Sequence, residues 1–325
     1  PVSAPTAPRR RLGTTGLTVH PIGLGTNTFG WSAEREAAFA VLDAYVAAGG
    51  NLIDTAHTYP GWAPGREGGE SEAIIGQWWA ARPGMRERVV IATKIGMAGG
   101  RFAKGLRRAQ ILPWVADCRE RLGVERIDLL YTHEDDPDTP LTETLGALNE
   151  LVAEGAVAHL GASNLPPERL ERSREICARE GWAPYAVLQP AYNLIQRTPF
   201  EGRMRAVCRD QAVAGVPSPA LAGGFLTGKY RPGAAPPPGV RAAGAQALAD
   251  SPAGQRVLAA LDRVGGECGA TPAQVALAWL ICRPTVAAAL VSATGAEHVT
   301  EFMRAPLVGL SDAQIARLES ASGAD

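Results

Sequence analysis

Val89-Val90-Ile91-Ala92-Thr93-Lys94 and Ile127-Asp128-Leu129-Leu130-Tyr131-Thr132-His133 are short, mostly apolar runs, each ending on a residue that can exchange a proton. Their ends lie 39 positions apart. Near-continuous apolar character, rather than alternation, marks a parallel strand covered on both faces. Working outward, runs of the same kind recur at Pro21–Gly25, Leu52–Asp54, Val157–Ser163, Ala186–Gln189, Ala214–Ser218 and Val286–Ser292. Between them lie amphipathic segments expected as helices: Glu34–Ala48, Ser71–Ala81, Arg108–Leu122, Thr142–Glu154, Pro167–Arg179, Gly202–Gln211 and Thr271–Cys282. In the last, Thr271-Pro272 reads as an N-cap followed by proline at the first helical position. A strand–helix unit repeated eight times predicts an α/β chain folded as a (β/α)8 TIM barrel. No G-x-G-x-x-G follows the first strand, which argues against a doubly wound sheet.

The ends of the chain fit the same plan. Arg11–Val19, with a turn at Thr14-Thr15-Gly16, is expected as an N-terminal β-hairpin plugging the bottom of the barrel, and Asp312–Ser320 as a C-terminal helix. The stretch from Ser218 to Ser292 is too long for one plain unit. It holds the Gly/Pro/Ala-rich Arg231–Gly244, expected as an inserted loop, with residues 231–250 read as flexible. Residues 1–9 are read as a flexible tail on a single domain spanning 1–325.

Composition narrows the function classes. The 325 residues carry 32 Lys+Arg against 33 Asp+Glu, a net charge of −1, so no basic face for nucleic acid is expected. Apolar residues make up 46%, enough for a large core. The 37 glycines and 25 prolines, without a collagen-like period, signal many turns. No apolar run approaches the ~20 residues that cross a bilayer, and Pro1–Pro8 followed by Arg9-Arg10-Arg11 is not a signal peptide. The expectation is a cytoplasmic protein without membrane contact, with the arginine run a solvated terminal cluster. The five cysteines show no C-x-x-C pair and read as structural thiols in a reducing compartment.

The chemistry lies at the strand ends. Asp54, Lys94 and His133 close three successive strands, and parallel barrels carry their active sites at this carboxyl face. Tyr59 follows Asp54 on the same loop. A lysine beside a tyrosine stabilises the phenolate, and a carboxylate holds the lysine in place. Together they make a proton donor, with His133 able to hydrogen-bond a substrate carbonyl. Each residue has a structural reading when taken singly; jointly, at matched strand ends, they read as catalytic. His57, His133 and His159 have no metal-ligand spacing, so no metal is expected. Trp31 and Trp62 follow the first and second strands and are candidate walls of a substrate pocket, whereas Trp78-Trp79 lies mid-helix and reads as core.

At these residues the sequence resembles the aldo-keto reductases, from about Arg10 to Pro306. The resemblance rests on Gly23-Leu24-Gly25-Thr26, Ile53-Asp54-Thr55-Ala56, Tyr59, Gly69-Glu70-Ser71-Glu72-Ala73-Ile74-Ile75-Gly76 and Ile91-Ala92-Thr93-Lys94. It continues through Asp128-Leu129-Leu130-Tyr131-Thr132-His133, Gly161-Ala162-Ser163-Asn164, Gln189-Pro190-Ala191-Tyr192-Asn193 and Leu221-Ala222-Gly223-Gly224-Phe225-Leu226-Thr227-Gly228-Lys229-Tyr230. It implies Asp54, Tyr59, Lys94 and His133 as a catalytic tetrad, with Tyr59 the general acid in reduction of an aldehyde or ketone. It implies an extended nicotinamide dinucleotide, NADP(H) favoured and NAD(H) possible. Ser163, Asn164 and Gln189 match positions that bond the nicotinamide carboxamide, and Leu221, Gly223 and Lys229 match other cofactor contacts. The subset with a long Gly-rich loop after the tyrosine, here Pro60–Gly69, looks most similar. Two other readings share the resemblance: a cofactor-sensing regulatory β-subunit, and a sugar-nucleotide ketoreductase of a biosynthetic pathway.

Two departures bear on the cofactor. The alignment puts Ser218 where the family usually has an aromatic residue that stacks on the nicotinamide. Ser292-Ala293-Thr294-Gly295-Ala296-Glu297-His298 matches the segment that grips a 2′-phosphate, with Glu301 retained and Phe302 where Asn is common. This segment offers hydroxyls and His298 in place of the usual Lys or Arg, which bind phosphate more strongly.

Overall fold

The computed structural model describes residues 7–237, 239 and 242–323. Eight parallel strands run in chain order around one sheet: β1 (Ile22–Gly25), β2 (Leu52–Asp54), β3 (Val90–Ile95), β4 (Ile127–Thr132), β5 (Val157–Ser163), β6 (Tyr185–Gln189), β7 (Ala214–Gly215) and β8 (Ala289–Ser292). β8 pairs back onto β1, and Gly215 bridges Val286 in parallel just ahead of β8, closing the circle. The (β/α)8 barrel read from the strand runs is therefore the fold. β7 and β8 are shorter than the apolar runs 214–218 and 286–292. The proline pair Pro217 and Pro219 flanking Ser218 cannot donate to a ladder, so pairing at this seam is brief.

The helices are α1 (Arg35–Ala47), α2 (Glu70–Ala80), α3 (Arg108–Leu122), α4 (Leu141–Ala153), α5 (Pro167–Glu180), α6 (Arg203–Asp210), α7 (Ala242–Asp250), α8 (Pro252–Cys268), α9 (Pro272–Ile281), α10 (Ala296–Phe302) and α11 (Asp312–Ser322). Thr271 caps α9 as the sequence predicts, its hydroxyl accepting from Gln274 N at 3.3 Å with Pro272 in the first turn. The expected loop over 231–250 needs correction. Its second half is the helix α7, whose Ala245 and Ala249 are buried, while residues 238, 240 and 241 lie outside the described set. Alanine is the strongest helix former, and it outweighs the Gly and Pro beside it. The adjoining α8 has no counterpart among the predicted helices. Of the predicted tail, residues 1–6 lie outside the described residues and Ala7 is buried.

Two cores follow from strand alternation. Leu52, Val90, Ala92, Leu129, Tyr131 and Val187 pack inside the barrel, and Leu12 and Val19 of the hairpin (Arg10–Arg11 paired with Thr18–Val19) close its floor. Ile53, Ile91, Leu130 and Leu188 face outward onto the helices. Burying each such side chain contributes on the order of 1.5–3 kcal/mol. The period of two fixes the site as well: two residues beyond Leu52, Ala92, Tyr131 and Val187 stand Asp54, Lys94, His133 and Gln189, on the same inward files at the carboxyl face.

Candidate active site

Register brings the site residues together. Gly25 pairs with Asp54 and with Ser292, Lys94 with Tyr131, and Ser163 with Gln189, so these positions share the top rungs of the barrel. Tyr59 is carried on the loop after β2. Its carbonyl accepts from Gly69 N at 3.1 Å and Ser71 N at 3.2 Å, and the Ser71 hydroxyl donates to Thr26 O at 3.0 Å. The Gly-Glu-Ser-Glu start of α2 thus anchors the tyrosine loop to the end of β1.

Asp54, Lys94, Tyr59 and His133 form one cluster. Lys94 Nζ donates to Asp54 Oδ1, to Thr55 O at 2.7 Å and to the Tyr59 hydroxyl at 3.3 Å, using all three ammonium protons. The Tyr59 and His133 rings meet edge-on with centroids 5.7 Å apart. Burial works against the Lys94 ammonium, but Asp54 and Tyr59 outweigh it and hold its pKa above the ordinary lysine value. Burial lifts the Asp54 carboxyl above its usual range, with Lys94 and Gln189 pulling it back. Burial, then the Lys94 charge, pushes His133 well below its ordinary value, so its imidazole is neutral. His133 Nδ1 is buried without a partner, which places the ring proton on Nε2, since a buried orphan N–H costs more than an idle lone pair. His57, two residues before Tyr59, is instead a packed residue: it stacks on Phe102 at 4.4 Å, and burial pushes its pKa down to about 3.

A cavity of about 400 Å³ borders Asp54 and Tyr59. From the segment after β7 it is lined by Ser218, Leu221, Gly223 and Lys229, and from β8 onward by Ser292, Thr294, His298 and Glu301. These eight predicted cofactor residues therefore share one wall with Asp54 and Tyr59, while Lys94 and His133 are not among the residues that line it. Some are engaged by the protein itself. Ser292 Oγ donates to Asn27 Oδ1 at 2.7 Å, and Glu301 accepts from the Thr271 hydroxyl at 2.8 Å. Lys229 Nζ lies 5.3 Å over the Tyr230 ring.

Ser163, Asn164 and Gln189 are not on that wall. Gln189 Nε2 donates to Asp54 Oδ2 at 2.9 Å, Ser163 Oγ donates to Gln189 O at 2.9 Å, and Asn164 Nδ2 reaches His133 O at 3.0 Å and Ser163 Oγ at 3.2 Å. The three form a belt from His133 across to Asp54. Trp62 meets Tyr59 edge-on at 5.2 Å, and Trp31 meets Trp62 edge-on at 5.8 Å; neither tryptophan is among the residues that line the cavity. Sequence reasoning missed Asn27 and Thr28, both on the cavity wall, as are Tyr230 and Phe302, which it named only within matched segments. A polar Thr26-Asn27-Thr28 directly after a strand end was the available signal for the first two.

The profile of the Aldo/keto reductase family matches residues 21–322. The chain belongs to the aldo/keto reductase family. A curated oxidoreductase without assigned substrate, YrpG of Bacillus subtilis, is 31% identical over 94% of this chain and 93% of its own length. L-glyceraldehyde 3-phosphate reductase of Escherichia coli is 29% identical over 91% of this chain and 86% of its own. A probable voltage-gated potassium channel subunit beta of Oryza sativa is 29% identical over 91% of this chain and 90% of its own. Family membership assigns this aldo/keto reductase a nicotinamide-dependent oxidoreductase activity in general. Among its described residues no helix is long and apolar enough to cross a membrane.

Proposed function

We propose that this aldo/keto reductase reduces an aldehyde or ketone to the alcohol with NADPH, Tyr59 donating the proton. The observation that carries the reading is the Asp54–Lys94–Tyr59 hydrogen-bonded chain at the edge of the cavity. The cavity suits an extended dinucleotide: it pairs the ammonium of Lys229 with hydroxyl and backbone donors, and its glycines Gly223 and Gly224, both at positive φ, leave room for a phosphate. Lys229, Thr294 and His298 would hold the phosphates, and Ser218 and Leu221 the nicotinamide half. When bound, the dinucleotide supplies the hydride.

The chain's own residues supply the rest. Lys94 donates to the Tyr59 oxygen, which leaves the phenolic O–H to donate to the substrate oxygen. Neutral His133 offers its Nε2–H as a second donor, polarising the carbonyl without protonating it. The Tyr59 proton would pass to the oxygen of the carbonyl being reduced, and the Lys94 ammonium would stabilise the phenolate left behind. Trp31 and Trp62 give the substrate an apolar wall beside Tyr59. Tyr59→Phe removes the transferable proton together with the hydroxyl oxygen that Lys94 contacts. It is expected to lower kcat by about 10²–10⁴-fold with the cofactor dissociation constant unchanged. A variant keeping more than about a tenth of wild-type kcat would overturn the role of Tyr59.

The relatives named as channel β-subunits favour a second reading, in which the bound dinucleotide is sensed rather than turned over. A panel of aldehydes and ketones followed by cofactor absorbance separates the two. Consumption with any of them supports the reductase, and no consumption with all of them supports the sensor.

A further inference from the structure

We infer that Gln189 is a positioning residue of the catalytic set, its side-chain amide holding the Asp54 carboxylate that fixes Lys94 beside Tyr59. The inference rests on the catalytic reading of those three residues and goes beyond it. Asp54 is 3% exposed, and each of its oxygens has a partner: Oδ1 takes Lys94, and Oδ2 takes Gln189 Nε2 at 2.9 Å across the barrel from β6. A buried carboxylate oxygen without a donor costs free energy, and a donor to the ionised form favours that form. The other groups that face Asp54 do not stand in for Gln189. Lys94 of β3 has its three protons committed, and Tyr59 of the following loop is bonded to Lys94. The Tyr131 hydroxyl of β4 is buried near Gln189 but forms no hydrogen bond of proper geometry, and burial and Asp54 hold it neutral. His133, after β4, is neutral as well.

The belt explains how Gln189 is itself held. Ser163 Oγ bonds its backbone carbonyl, and Asn164 ties Ser163 to the backbone of His133. Residues that match carboxamide-binding positions are thus, in this chain, joined to the two sides of the proposed proton-transfer site. Gln189 lies off the cavity wall, so its first partner is Asp54.

The sign of the pH effect follows. An N–H donated to Asp54 favours the carboxylate and lowers its pKa, so removing the donor raises that pKa. Activity falls on acidification as Asp54 protonates and releases Lys94, so the acid limb moves to higher pH. Gln189→Met, nearly isosteric and without donors, is expected to move both the Asp54 carboxyl titration, read by ¹³C NMR on the cofactor-free protein, and the acid limb of kcat upward by about one pH unit. Its cofactor dissociation constant should stay within about threefold of wild type. Gln189→Glu provides the rescue: while the introduced carboxyl and that of Asp54 share one proton, the protonated acid on β6 still donates to Asp54. This variant should keep kcat within about threefold of wild type on the acid side and lose it as that proton is released. An Asp54 titration unmoved in Gln189→Met, or a rise above about tenfold in the cofactor dissociation constant with the pH profile intact, would overturn the inference. The NMR titration is independent of turnover. A wild-type protein inactive on every carbonyl would sink the proposed reaction, while the Asp54 titration would still decide the role of Gln189.

Discussion

Lys229 is the only lysine or arginine on the cavity wall among the described residues. The segment that matches a 2′-phosphate grip has less to offer: Ser292 is turned to Asn27, and His298 lies 3.7 Å from the Glu297 carboxylate. One ammonium, the Thr294 hydroxyl and the His298 imidazole must therefore serve a ligand with either two or three phosphates. Since the pyrophosphate is common to both dinucleotides, Lys229 is assigned to it. NADPH should then be preferred over NADH only modestly, by about tenfold or roughly 1.4 kcal/mol. Lys229→Met is expected to weaken both by about tenfold, near the strength of one charge-assisted phosphate contact, and to leave their ratio unchanged. Dissociation constants for both cofactors on both proteins check this. A ratio that collapses in the variant would assign Lys229 to the 2′-phosphate instead.

Two loops, after β2 and after β3, interlock over the catalytic face. Arg101 N donates to Glu67 O at 2.9 Å, and a Cβ on Gly100, whose φ is +57°, would collide with that same oxygen. Gly61, next to Trp62, is also tightly fitted, a Cβ there meeting Gly100 N at 2.7 Å. The first loop carries Tyr59 and Trp62, while most of the predicted cofactor wall comes from segments after β7 and β8. Gly100→Ala should therefore displace the substrate wall and not the cofactor wall. The expected outcome is a rise of about tenfold in the carbonyl KM, equivalent to roughly 1.4 kcal/mol, with the cofactor dissociation constant unchanged. Gly65→Ala is the control: it shares the positive φ but meets nothing within 4 Å. Steady-state kinetics at saturating cofactor decide it, and equal behaviour of the two variants would refute the interlock. At this scale the sequence was legible wherever one period dominates. The inward file Leu52–Asp54, Val90–Ala92–Lys94 and Leu129–Tyr131–His133 can be read directly, because burial and catalysis use the same alternation. The belt of Ser163, Asn164 and Gln189 cannot, because Gln189 meets Asp54 only when the barrel closes. α7 was hidden for another reason: the Gly and Pro that precede it dominate the local composition.

Closure of the barrel is weakest where its strands are shortest. β7 has two residues; it meets the β8 side at the bridge of Gly215 with Val286, and beyond the bridge Leu290 N donates to Pro217 O at 3.0 Å and Ala220 N to Leu290 O at 3.3 Å. Arg10 reinforces this seam from the floor. Its Nη1 donates to Ile281 O at the end of α9 and to Val286 O at 3.2 Å, across more than 270 positions of sequence. The arginine run expected as a solvated cluster is therefore divided: Arg9 is exposed, while Arg10 is half-buried and ties the first strand of the hairpin to the last turn of the barrel. The sequence could not separate them, because the charge pattern is the same whether an arginine faces water or a carbonyl. Truncating Arg10 leaves two carbonyls short of a charged donor, a loss of about 1.5–3 kcal/mol. For a chain of 325 residues, at roughly 1.5 °C per kcal/mol, that corresponds to a fall in Tm of about 2–4 °C. Arg10→Ala is thus expected to melt by that much below wild type, and Arg9→Ala within about 0.5 kcal/mol of it, as surface substitutions do. The unfolding should remain a single transition by circular dichroism, since the seam joins β7 and β8, the two ends of one sheet. If the two variants melt together, Arg10 contributes nothing to closure, and the short pairing of β7 and β8 must hold the barrel by itself.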